Sequence, residues 1–235
     1  GTLHIPVGKY RVKATSGNCI FLLDKPIKIV GEGASKDGSW LQVDPQTPST
    51  VDVFRVSPVA ASSPFTEFRG IRVSPVDTSG FVGGRDVIAI VTEAHSQLQR
   101  FVVSDCWLHA GVGVAISGRD TDTSVSTACY YQSVIQRCTL YGEKGGIYFT
   151  QAGDSITISD NNFPPLGEIG IYISPVIGAA HQVIERCGFQ GNSKGAIVLV
   201  GCEQAKIRDC QIEQGVAYTG LGGMVRLDNC KGTEV

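Results

Sequence analysis

Apolar positions in this chain recur in short alternating runs, not along a helical stripe. Val103-Ser-Asp-Cys-Trp-Leu108 sets apolar residues on either side of a polar bend. The same frame returns as Ile135-Gln-Arg-Cys-Thr-Leu140, Ile184-Glu-Arg-Cys-Gly-Phe189 and Ile207-Arg-Asp-Cys-Gln-Ile212. A fifth copy, Ile158-Ser-Asp-Asn-Asn-Phe163, carries Asn161 in the cysteine position. From Cys106 through Cys138, Asn161 and Cys187 to Cys210 the steps are 32, 23, 26 and 23 residues. Each copy is followed by a glycine and a strand-like run: Gly113-Val-Ala-Ile-Ser117, Gly146-Ile-Tyr-Phe-Thr150, Gly170-Ile-Tyr-Ile-Ser174, Gly195-Ala-Ile-Val-Leu199 and Gly223-Met-Val-Arg-Leu227.

Repeats of this period signal solenoids, propellers or arrays. No segment sustains a 3.6-residue apolar period, which excludes helical repeats. The leucine-rich frame is absent, and a propeller blade needs four strands in about 40 residues, more than a unit of this length holds. The pattern therefore predicts an all-β chain folded as a right-handed parallel β-helix of about eight coils, one per unit. A single domain over 1–235 is expected, with irregular first coils over 1–97 and regular repeats over 98–235. Both ends look cut, so a portion of a longer chain is expected.

Alternation predicts which residues face inward. Val103, Ile135, Ile158, Ile184 and Ile207 form one internal column, and Leu108, Leu140, Phe163, Phe189 and Ile212 a second. Cys106, Cys138, Cys187 and Cys210, with Asn161 among them, are expected to stack at the bend as small, reduced fillers. Just before them Asp105, Arg137, Asp160, Arg186 and Asp209 alternate in sign. Opposite charges at one rung position attract and like charges repel, so this column is expected to neutralise itself and fix register.

Composition narrows the function classes. The 20 basic and 22 acidic residues leave a net charge of −2, without the basic stripe that a nucleic-acid footprint needs. The longest apolar runs, Val87–Val91 and Ala196–Val200, are far too short to cross a bilayer. The eight cysteines form no C-x-x-C pair, and no histidine stands at zinc-ligand spacing. No metal, cofactor, nucleic-acid or membrane partner is expected. His4, His95, His109 and His181 read as surface or turn residues.

The opening residues Pro6-Val-Gly-Lys-Tyr10, a strand ending Gly31-Glu-Gly33, and the later I-x-x-(N/C)-x-F and G-I-x-I units resemble the pectate-lyase-like superfamily. Within it they are most similar to bacteriophage tailspikes and tail-associated polysaccharide depolymerases. The resemblance implies a homotrimer on a phage tail, associated with other virion tail proteins. It would bind, and in some members cleave, a bacterial capsule or O-antigen polysaccharide. A secreted polysaccharide lyase or hydrolase, and a non-catalytic adhesive β-helix, are the alternatives. The polygalacturonase pattern is not met: its aspartate positions hold Gly145, Ile169 and Lys194 here, and no Gly-His-Gly or Arg-Ile-Lys occurs. Neither does an acid cluster match the calcium site of pectate lyases. Catalytic residues do not carry over.

In the superfamily the G-I-x-I sheet lines the saccharide groove, which directs attention to its outward residues. With Ile147, Phe149, Ile171 and Ile173 inside, Tyr148 and Tyr172 point outward one above the other, with Thr150 and Ser174 beside them. The pair is expected to form a flat amphipathic strip suited to a sugar ring. Arg226 falls outward two coils further on and suits an acidic sugar. Glycosidic cleavage needs two carboxyl groups about 5–9.5 Å apart, and Glu143 and Glu168, on consecutive coils near one rim, are the candidate pair. Asp154, which follows the first of these strands, is a candidate substrate contact; Glu93, Asp120 and Asp122 are further loop acids.

Overall fold

The structure, a computed structural model, describes residues 1–57, 65–76, 83–92, 98, 100–120, 130–150, 153–165, 167–175, 179–213 and 224–235, with backbone only at 92, 120, 130 and 131. Every regular element among the described residues is a β-strand. The chain visits three eight-stranded sheets in turn, here called A, B and C. A short four-stranded sheet D is inserted between C and A in the later coils. Among the described residues no strand pairs with its sequence neighbour. Each pairs in parallel with the equivalent strand one coil away, as Val102–Ser104 does with Val134–Gln136. Eight strands per sheet mean eight coils of a right-handed parallel β-helix, and parallel crossovers take that hand almost without exception.

Register turns sequence positions into columns. On sheet A, Val103, Ile135, Ile158, Ile184 and Ile207 share one rung position, and all are buried. On sheet B, Leu108 pairs with Leu140 and Phe163 with Phe189, whose rings stack 4.7 Å apart at 3°. A buried side chain of this size contributes about 1.5–3 kcal/mol, but only where the next coil covers it, so a coil is stable through its neighbours.

The bend between sheets A and B explains the charge ladder more fully than alternation does. Asp105, Arg137, Asp160, Arg186 and Asp209 all adopt left-handed backbone, with φ between 50° and 56°. That conformation disfavours residues other than glycine by about 1–2 kcal/mol. Gly70, φ 65°, holds the equivalent place one coil earlier. The twist lets each of the amides of Asp105, Arg137, Asp160 and Arg186 donate to the next coil, as Asp105 N does to Gln136 O at 3.2 Å. Arg137 then donates twice to Asp105, at 2.7 and 2.9 Å, and Arg186 twice to Asp160, at 2.8 and 3.0 Å. Both aspartates sit below the usual carboxylate range, held there chiefly by these bonds.

Next to it the thiol column is continuous. Cys106 N donates to Cys138 Sγ at 3.4 Å, and Cys138 N donates to Asn161 Oδ1 at 2.9 Å. Burial pushes the Cys138 thiol well above its ordinary value and Cys202, in a second stack beside Cys230, up to about 12.

The glycines preceding the sheet C strands do not form one column, contrary to their spacing in the sequence. Val114, Gly145, Ile169 and Gly195 share a rung. Gly146 and Gly170 lie one residue further on, inside the strand. A Cβ there would fall 2.4 Å from the Phe163 ring and 2.5 Å from the Phe189 ring respectively. These two glycines make room for phenylalanines, and are not bends. Gly113 lies one residue before the shared rung, and Gly223 lies outside the described residues.

Candidate functional site

Sheet C carries a continuous outward column. Arg55, Ala89, Ser117, Tyr148, Tyr172, Val198 and Arg226 occupy one rung position on successive coils. Tyr148 and Tyr172 are stacked, with centroids 4.3 Å apart and planes 12° from parallel. Coils lie about 4.8 Å apart, so the rings face each other along the helix axis. The geometry differs here from a flat strip: each ring covers one face of the other. Burial and the adjoining Tyr172 hydroxyl hold the Tyr148 phenol above its ordinary value. The second face of Tyr148 looks toward the preceding coil, where the rung belongs to Ser117 and the next place to Gly118. That small floor lies in a cleft of about 520 Å³, which Tyr148 and Tyr172 both line.

Charges rim this cleft. Asp52 opens one sheet C strand and Asp86 stands just before the next, and both are buried, at 0% and 4% exposure. Arg85 donates to both oxygens of Asp52, each at 3.0 Å. Arg119 bridges the pair, bound to Asp52 through Nη2 and to Asp86 through Nη1 at 3.0 Å. Asp86 also accepts from Ser117 Oγ at 2.7 Å and from Val114 N at 3.0 Å. The Asp52 carboxyl is raised above the usual range, first by burial and then by Asp86, against the pull of Arg119 and Arg85. The network holds two guanidiniums at the cleft wall in fixed poses. Lys144 stands on the same wall, exposed, and pairs with no carboxylate among the described residues.

Of the residues singled out from the sequence, Tyr148, Tyr172, Thr150 and Glu168 come together in the cleft. Glu168 N donates to Glu143 O at 3.2 Å, so the two glutamates sit on adjacent coils as expected. Their side chains part company. Glu168 lines the cleft and meets Lys194 Nζ at 2.6 Å, whereas Glu143 is exposed outside the lining. Ser174 is the coil equivalent of Thr150, since Ser174 N donates to Phe149 O and Thr150 N to Gly118 O, but it too lies outside the lining. Asp154 belongs to sheet D, where it meets His181 Nδ1 at 2.9 Å. Arg226 pairs with Asp228. Glu93 and Asp122 fall outside the described residues, and only the backbone of Asp120 is described.

His109 is a correction. Expected as a surface or turn residue, it is buried at 1% exposure on the outer face of sheet B, stacked 4.1 Å from Tyr141. Burial, aided by the Arg72 charge, lowers its pKa to about 4. Asp52 and Asp86 were missed by sequence reasoning. The available signal was the shared Asp-Val pair, Asp52-Val53 and Asp86-Val87, each leading into a buried Phe54 or Ile88.

The family model described as "Right handed beta helix region" matches residues 112–231. No curated protein matches the chain. Among solved structures, DFA-IIIase from Arthrobacter chlorophenolicus A6 aligns with TM-score 0.59 at 12% identity, covering 90% of this chain and 57% of that one. Its complex with GF2 aligns with TM-score 0.57 at 12% identity, over 90% of this chain and 53% of that one. A mutant of it in complex with DFA-III aligns with TM-score 0.56 at 12% identity, over 90% and 57%. The chain thus spans a little over half the length of these structures, and the likeness is one of fold. With its eight parallel coils and a model match over half its length, the chain belongs to the right handed beta helix region family.

Proposed function

We propose that the sheet C cleft binds a saccharide chain, and that an anionic sugar is the preferred unit. The observation that carries this is the free face of Tyr148 above the Ser117–Gly118 floor. An aromatic ring face packs against the C–H face of a sugar, and the hydroxyls of Thr150 and Tyr148 belong to residues lining the same cleft. Lys144, together with Arg85 and Arg119 fixed by buried carboxylates, supplies the positive side of the site. The solved DFA-IIIase of the same fold, carrying DFA-III or GF2 in its complexes, is consistent with this reading.

The resemblance of the repeats to tailspikes directs the choice of ligand to bacterial capsule and O-antigen polysaccharides, in a homotrimeric virion protein. Cleavage is a further step, and Glu168 is its candidate acid within the cleft. Isothermal titration against a panel of acidic and neutral capsular polysaccharides, followed by product analysis, tests both. Saturable binding that Tyr148→Ala weakens supports the cleft. Binding unchanged by that substitution overturns it, and shortened chains that disappear in Glu168→Gln support cleavage.

A further inference from the structure

We propose that the Trp40–Arg72–Trp107 stack on the outer face of sheet B is a binding site for a carboxylate, separate from the sheet C cleft. Register assembles it: Lys9, Trp40, Arg72, Trp107 and Thr139 share one rung position on successive coils. The Arg72 guanidinium carbon lies 4.1 Å from the Trp40 ring centre and 4.4 Å from that of Trp107. Lys9 Nζ covers the far side of Trp40 at 5.2 Å. Both indoles are anchored, Trp40 Nε1 donating to Ser74 Oγ at 2.9 Å and Trp107 Nε1 to the Tyr141 hydroxyl at 3.3 Å.

Among the described residues the stack holds two cations and no anion. Arg72 is 8% exposed and its Nε is buried without a hydrogen-bond partner. No carboxylate among the described residues pairs with it, whereas Arg11, Arg85, Arg119, Arg137, Arg186 and Arg208 each hold one. A guanidinium withdrawn from water needs charge compensation, and two ring faces supply only part of it. Burial lowers the Arg72 pKa, and the titratable groups facing it, Tyr141 and His109, bring no negative charge at neutral pH.

Geometry selects the class of anion. With both faces of the guanidinium covered, only its edge is open. A planar carboxylate approaches in that plane and accepts two parallel N–H bonds, whereas a tetrahedral sulfate or phosphate sets oxygens out of the guanidinium plane. That the carboxylate belongs to a sugar rests on the function proposed for the cleft.

The chain has two tryptophans, and both flank Arg72, so tryptophan emission reports on this site alone. Titrations with sodium glucuronate, sodium acetate, sodium sulfate and glucose at constant ionic strength should give a saturable change with glucuronate and acetate. Sulfate should bind at least tenfold more weakly, and glucose should give none. Arg72→Gln should abolish the change while circular dichroism stays native. Should Arg72→Gln misfold, Trp40→Phe retains Trp107 as reporter and should weaken glucuronate binding severalfold. No saturable response to either carboxylate, or a response that survives Arg72→Gln, overturns the proposal. Glucuronate binding no tighter than acetate overturns the assignment to a sugar. Failure of the cleft reading shows instead in the titration of Tyr148→Ala with polysaccharide.

Discussion

The ring of Tyr148 lies nearly parallel to that of Tyr172 at 4.3 Å, so that two of the four aromatic faces are covered by the pair itself. The face of Tyr148 opens over Ser117, and that of Tyr172 meets Val198 on the next coil. Replacing Tyr148 by alanine removes one of the cleft's two rings and should weaken saccharide binding about 2- to 13-fold, as a stacking contribution of about 0.5–1.5 kcal/mol implies. Tyr148→Phe should keep most of the affinity. Isothermal titration separates the two.

Asp52 is the most buried acid of the cleft network, and its removal leaves Arg85 and Arg119 facing one another across the wall. Asp52→Asn should lower unfolding stability by about 3 kcal/mol, the scale for breaking a buried pair from one side. Urea denaturation followed by circular dichroism reads the loss. A change under 1 kcal/mol would show that Asp86 alone satisfies both guanidiniums.

The space left by Gly146 is filled by Phe163. Gly146→Ala should destabilise by about 1–3 kcal/mol through overpacking, and Phe163→Leu in the same chain should recover part of that. Non-additivity in the double-mutant cycle is the expected signature.

His109 should make the fold acid-sensitive in a defined window. Its pKa is near 6.5 when unfolded and about 4 in the fold, so between these values the unfolded chain binds the extra proton. Stability is then present in full above pH 6.5 and falls as pH drops toward 4, by about 3 kcal/mol in all. Denaturation midpoints at pH 7 and pH 4.5 should differ, and His109→Gln should flatten the slope in that interval.

Asp105 and Asp160 act with the same sign over a lower range. Arginine bonds depress both in the fold. Their contribution is therefore present above the ordinary carboxylate value and lost as pH falls below it. Exposure and salt screening keep it small. Raising salt at pH 7 should remove most of the difference between the native chain and Arg137→Gln.

The internal columns were legible in the sequence because one coil is one repeat: the frame running from Ile135 to Leu140 states its own facing by alternation. Tyr148 and Tyr172 were legible for the same reason, each standing between two inward neighbours on matched strands. The stack itself was not, since facing says nothing of where a ring turns. The place of Gly146 was not legible because Gly145 stands beside it, and only register tells which one aligns with Ile169. Asp52, Asp86 and the Trp40–Arg72–Trp107 stack lie in early coils that carry no copy of the Ile135–Leu140 frame, so nothing in the sequence announces which residues meet. His109 looked like an ordinary polar alternation partner, and only the aromatic layer on sheet B buries it.

A solenoid of near-identical units is open to one error that other folds escape: a whole coil looped out while its two neighbours close over the gap. Hydrophobic columns would not detect this, since isoleucine meets isoleucine either way. The Asp105–Arg137–Asp160–Arg186–Asp209 ladder would. Omitting any inner coil sets aspartate against aspartate or arginine against arginine, so alternation works as a parity check on the order of assembly.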